Sequence, residues 1–167
     1  TDVPTLEGGT RGFWMGGYLS PSKQDNIDFI TIETAGNATD FGNLSQSRSG
    51  TSVCASNTRG LCGGGFNNSN SNVDDIDFIT ISSTGNATDF GNLSTQNRDG
   101  SGVSNQTRGV FFIARSPSIV NIIDFVTIAS TGNATDFGDQ VDTRAASGEF
   151  ASPTRGLTGG GQTPSNT

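Results

Sequence analysis

Three short stretches, Ile27–Ile32, Ile76–Ile81 and Ile123–Ile128, alternate only imperfectly between apolar and polar positions. In the first, Ile27, Phe29 and Thr31 fall on one side of an extended chain and Asp28, Ile30 and Ile32 on the other, so both sides are largely apolar. A strand of this kind is expected to be covered on both faces. Each stretch runs into Gly36-Asn37, Gly85-Asn86 or Gly132-Asn133, where tolerance of positive φ suits a tight reversal. The chain then returns through Thr-Asp-Phe-Gly, which predicts a hairpin. Weaker strands follow at Gly50–Ala55, Gly102–Ser104 and Gly148–Ala151, and each turns into a strand opened by an Arg-Gly pair. Helical periodicity longer than one turn is absent.

The pattern is periodic on a larger scale. Asn-Ala-Thr-Asp-Phe-Gly recurs unchanged from Asn37, Asn86 and Asn133, 49 and then 47 residues apart, and the Arg-Gly pairs begin at Arg11, Arg59, Arg108 and Arg155. Such regularity marks repeats of one supersecondary unit. The expected fold is all-β: three tandem four-stranded antiparallel units at about 11–58, 59–107 and 108–154, with a surplus strand at 155–161. A lead at 1–10 and a tail at 162–167 flank this β-repeat domain. The chain opens on Thr1, and the expectation is a processed protein or a piece of a longer one.

Composition fits turn-rich β-structure. Hydrophobic residues make up only 31% of the 167, but the difference is filled by 24 Gly and by Ser, Thr and Asn rather than by charge. The net charge of −7, with no basic run, argues against a nucleic-acid partner, because phosphate neutralisation needs clustered Lys and Arg. No apolar segment approaches the length of a membrane-spanning helix, so no membrane partner is expected.

A double glycine closing one strand (Gly16-Gly17, Gly63-Gly64-Gly65, Gly159-Gly160-Gly161) and an Arg opening another resemble the kelch-type blade of a β-propeller. In that resemblance the blade's aromatic position falls on Phe41, Phe90 and Phe137, and its following Arg on Arg48, Arg98 and Arg144. Propellers close with four to eight blades. Three units are therefore expected to be completed by oligomerisation or by open stacking. The repeats also resemble Gly- and Asn-rich repeats of phage fibres and virion structural proteins, which implies a virion or extracellular location.

Candidate chemistry is sparse. The chain has no His and a single Tyr, which removes the Ser-His-Asp and Cys-His nucleophile systems and His-based metal sites. Asp28, Asp77 and Asp124 in the apolar strands, and Asp40, Asp89 and Asp136 after the turns, offer acidic pairs of the kind that do general acid–base work. Their presence in every unit points to a structural task, with Arg11, Arg59, Arg108 and Arg155 as the expected partners. Asp74, Asp75 and Asp77, or Asp40 with Asn43, supply hard oxygen atoms without the spacing of a calcium loop, so no metal or cofactor is expected. Cys54 and Cys62 flank a short turn; they are either a disulfide across a hairpin or two small buried apolar residues.

These observations lead to a non-enzymatic structural or assembly protein of a virion appendage or extracellular filament. The expected partners are other copies of the chain, joined through sheet edges, and other virion or filament proteins. The alternative is a receptor- or glycan-binding module that presents variable loops at Tyr18–Asn26, Phe66–Asp75 and Arg115–Ile122 to a cell-surface glycan.

Overall fold

A computed structural model describes residues 9–163. Most of the lead at 1–10 and of the tail at 162–167 lies outside the described residues. Among the described residues fifteen strands and no helix follow one another. In chain order they are β1 (Arg11–Leu19), β2 (Ser22–Thr31), β3 (Thr39–Asn43), β4 (Arg48–Ser49), β5 (Ser52–Ala55), β6 (Arg59–Gly63), β7 (Phe66–Asn67) and β8 (Val73–Thr80). They continue as β9 (Thr88–Asn97), β10 (Ser101–Ser104), β11 (Arg108–Phe112), β12 (Ile122–Thr127), β13 (Thr135–Asp139), β14 (Gly148–Ala151) and β15 (Gly156–Gly159).

The fold is all-β and antiparallel. Its sheets are β1-β2-β3, β5-β6-β8-β9, β10-β11-β12-β13 and the pair β14-β15, with a small β4-β7 ribbon whose β4 packs against β1 and β2 of the first sheet. Each weak strand is hydrogen-bonded to the Arg-Gly strand that follows it, as in Cys54 opposite Leu61 and Val103 opposite Val110. The sheets therefore straddle residues 58, 107 and 154, where the sequence periodicity places unit ends. The reason is local: Ser56-Asn57-Thr58 closes a tight hairpin, with the Ser56 N–H donating to the Arg59 carbonyl.

The double-sided apolar pattern is satisfied by stacking. In the second sheet Leu61 and Ile76 face the third, where Phe111, Ile113, Val126 and Ile128 complete one core. Cys62 and Ile79 point the other way, into a second core with Ile27, Phe41 and Leu44. Neither core contains residues of both the first and the third sheets. The described residues form an open stack rather than a closed barrel or ring.

The segment Tyr18–Asn26 differs from the loop expected there. It is the tip of a strand hairpin in which Leu19 lies opposite Ser22 and Tyr18 opposite Lys23. Its backbone is tied to the next unit, with the Lys23 N–H donating to Asn68 Oδ1 and the Asn68 amide donating to the Lys23 carbonyl. The other variable segments are clasped likewise, Asn72 to the Arg115 carbonyl and Thr95 to Ser116.

Candidate functional site

The polar residues singled out by the repeat meet at the joints between sheets. At the first joint the turn after β8 lies on the outer strand of the preceding sheet. The Gly85 N–H donates to the Phe41 carbonyl and the Ala87 N–H to the Asn43 carbonyl, both at 2.8 Å. In return the Asn43 N–H donates to Asn86 Oδ1 at 3.1 Å. The second joint repeats this one atom for atom: Gly132 to Phe90, Ala134 to Asn92, and Asn92 back to Asn133. The invariant Asn-Ala-Thr-Asp-Phe-Gly is thus both halves of a clasp. Its Asn and Ala reach backward, and its Phe carbonyl receives the next copy. A Cβ on Gly42 or Gly91 would run into the carbonyl of Gly85 or Gly132, which is why the chain can approach so closely there.

The aspartates of the apolar strands lock the same joints. Asp77 Oδ2 accepts from the Ser45 N–H and hydroxyl and from Arg48 Nη2, at 2.8–2.9 Å. Arg48 also donates to the carbonyls of Asp75 and Cys62, and both ion-pair side chains are removed from solvent. At the second joint Asp124 Oδ2 accepts from the Ser94 N–H at 2.8 Å, but Oδ1 has no partner. Burial pushes the Asp124 carboxyl above its ordinary pKa; the Ser94 hydrogen bonds oppose this and the neighbouring Asp136 adds to it. Asp28, the copy in the first sheet, faces outward and is half-buried.

Asp40, Asp89 and Asp136 lie directly across the ladder from Asp28, Asp77 and Asp124. They are exposed. Asp89 and Asp136 accept the N–H two residues on, from Gly91 and Gly138, and so hold the bulged start of the strand.

The arginines do not pair with these aspartates as expected. Arg11 Nη1 donates to the Ile81 carbonyl and Arg59 Nη1 to the Ile128 carbonyl, each spanning a joint. Their guanidinium groups lie over Phe29 and Phe78 at 4.7 and 4.5 Å, and Arg108 lies 4.5 Å above Phe125. Arg155 is exposed beside the β14–β15 turn. The aspartate's true partner, Arg48, stands eleven places after Asn37, as Asn97 does after Asn86 and Arg144 after Asn133. That fixed offset was the signal in the sequence. It places Asn97, not Arg98, in Arg48's position: Gly16 abuts the Arg48 carbonyl as Gly64 abuts that of Asn97. Buried Asn97 serves by accepting from the Ala114 N–H and donating to Ser52.

Cys54 and Cys62 are both free and buried. Cys54 shares a sheet face with Leu61, and Cys62 shares the opposite face with Val53, so the two thiols point into different cores. Of the two readings open in the sequence, the small apolar residue is the one observed. Burial raises both thiol pKa values, that of Cys54 to about 12.

Among the described residues, no three His, Cys, Asp or Glu side chains come together as a metal-binding group. The aspartates remain paired across each ladder, and in two of the three pairs the inner member, Asp77 or Asp124, accepts hydrogen bonds at a sheet joint. No protein-family model matches the chain, and no curated protein matches it.

Proposed function

We propose that the chain is a non-enzymatic structural protein, an assembly-type β-repeat of a virion appendage or extracellular filament. In this reading units of about 48 residues, kelch-blade-like in their strand order, stack openly and supply stiffness. One observation carries it: Asp77, Arg48, Asp124, Arg11 and Arg59 are spent on joining one sheet to the next. A repeated joint of this sort propagates a stack, whereas an active site is needed only once. Copies of the chain and other filament or virion proteins are the corresponding partners.

The test is mass measurement of the native protein at rising concentration together with electron microscopy. Rods or particles larger than the 17.2 kDa chain are expected. A 17.2 kDa particle at every concentration would overturn the reading. A second reading, contact with a receptor or cell-surface glycan, is favoured by Tyr18 and Leu19, which lie exposed at a hairpin tip. Glycan binding that disappears on replacing Tyr18–Ser22 would support it.

A further inference from the structure

The three copies of one phenylalanine report where the stack is covered. Phe41 and Phe90 each keep 2% of their surface, but Phe137 keeps 52%. On the opposite end of the stack Ile32 is 61% exposed, whereas its copy Ile128 is 1% exposed. Gly138 has the positive φ of Gly42 and Gly91, yet nothing stands within 4 Å of the place where theirs meet a neighbouring turn. Beside Phe137 a cleft opens between the third sheet and β14–β15, lined by Val103, Arg108, Val110 and Arg155 among others.

We propose that this face receives the β1-β2-β3 sheet of a second copy of the chain, head to tail, by repeating the internal joint. The proposal rests on the assembly reading and gives that assembly its contact. The clasp and the charged pair have counterparts in place, while Gln140 and Val141 stand at the offsets of Leu44 and Ser45. Gly36 and Ala38 take the roles of Gly85 and Ala87 toward the carbonyls of Phe137 and Asp139. Asn37 Oδ1 accepts from the Asp139 N–H, and Arg108 reaches the Ile32 carbonyl as Arg11 and Arg59 reach Ile81 and Ile128. Arg144 stands at Arg48's offset and Asp28 at Asp77's, so the joint brings a cation to a carboxylate. Trp14, Ile30 and Ile32 cover Phe125 and Phe137.

β15 and the incoming β1 are versions of one strand and compete for the place beside β14. β15 holds β14 only over Gly148–Ala151 and its residues are mostly exposed, whereas β1 is paired with β2 along Arg11–Leu19. The incoming sheet therefore displaces β15, and β14 becomes the first strand of a completed four-stranded sheet. A head-to-tail contact uses different surfaces on its two sides, so it does not close on a pair; where its rotation does not return to the start, as in the proposed open stack, it continues into a filament.

The test uses the full chain, with Phe137→Asp blocking one end and Ile32→Asp the other, followed by sedimentation at rising concentration. Both side chains are more than half exposed, and unchanged melting of each variant confirms that the fold is kept; Val141→Asp, at a position 98% exposed, is the substitute for Phe137→Asp if that variant melts early. Wild type is expected to grow in mass without a limit. Each variant alone stays monomeric, and an equimolar mixture of the two forms dimers and nothing larger, because only one competent joint remains. If wild type associates and both variants associate equally, this joint is wrong while the assembly reading stands. If wild type never associates, both fall.

Discussion

Arg48 Nη2 lies 2.9 Å from Asp77 Oδ2 across the joint between the first and second sheets, with side-chain exposures of 0% and 1%. Such a pair has lost its water on both sides, so its value lies in the partner that each charge would miss. Arg48→Met leaves Asp77 with only the Ser45 bonds. A loss of about 3–5 kcal/mol in urea unfolding is expected. Adding Asp77→Asn should cost much less than it does in the wild-type background, and additive losses would mean that the pair does not act as a unit.

The second joint gives the opposite electrostatic case. Asp124 is buried without an arginine, and burial holds its native pKa above the ordinary carboxylate value. The folded protein thus binds this proton more tightly than the unfolded chain does. The group's contribution to stability is full below the unfolded pKa, near pH 4, and is lost as pH rises through the raised native value. Asp124→Asn keeps an acceptor for the Ser94 N–H without the charge. Its melting temperature should match wild type near pH 4 and exceed it increasingly toward pH 7. A constant offset across that range would remove burial of the charge as the cause.

The all-β, antiparallel character is legible because Ile-Asp-Phe-Ile-Thr-Ile and Thr-Asp-Phe-Gly repeat with a fixed spacing, and a both-sided apolar strand implies a covered sheet; the division into three four-stranded units is not, since each weak strand joins the sheet that follows it. Stacking around Ile76 and Ile79 follows from that alone. The joints were not legible in the same way. Asp77 and Arg48 are 29 residues apart and on different sheets, whereas Arg59, the nearer in sequence, has its guanidinium over Phe78. Cys54 and Cys62 illustrate another limit: proximity across a turn fixes the hairpin, but the parity of the register decides the face.

That parity makes a chemical prediction. At neutral pH a thiol with a pKa of about 12 is almost never the thiolate, and Cys54 and Cys62 are both shielded by packing. Ellman's reagent should label neither thiol in the native protein and both once urea unfolds it. Melting should be the same with and without reductant. A reductant-sensitive melting temperature would require a bridge that the register forbids.

Gly91 and Gly138 have almost the same backbone, φ +141° and +134°, and differ in what lies beside them. An alanine at either position carries the strain of a side chain at positive φ, about 1–3 kcal/mol. Only at Gly91 does the new Cβ also meet the Gly132 carbonyl and the amide of Asn133, which are backbone atoms held by the clasp and unable to swing aside. Overpacking of this kind adds about 1–3 kcal/mol. Gly91→Ala should therefore unfold at a lower denaturant concentration than Gly138→Ala, measured on dilute protein where no second copy covers Gly138. The subtraction removes the shared backbone strain and leaves the cost of prising one sheet from the next. Equal losses at the two positions would show that φ alone requires these glycines and that the turn does not press on the preceding sheet.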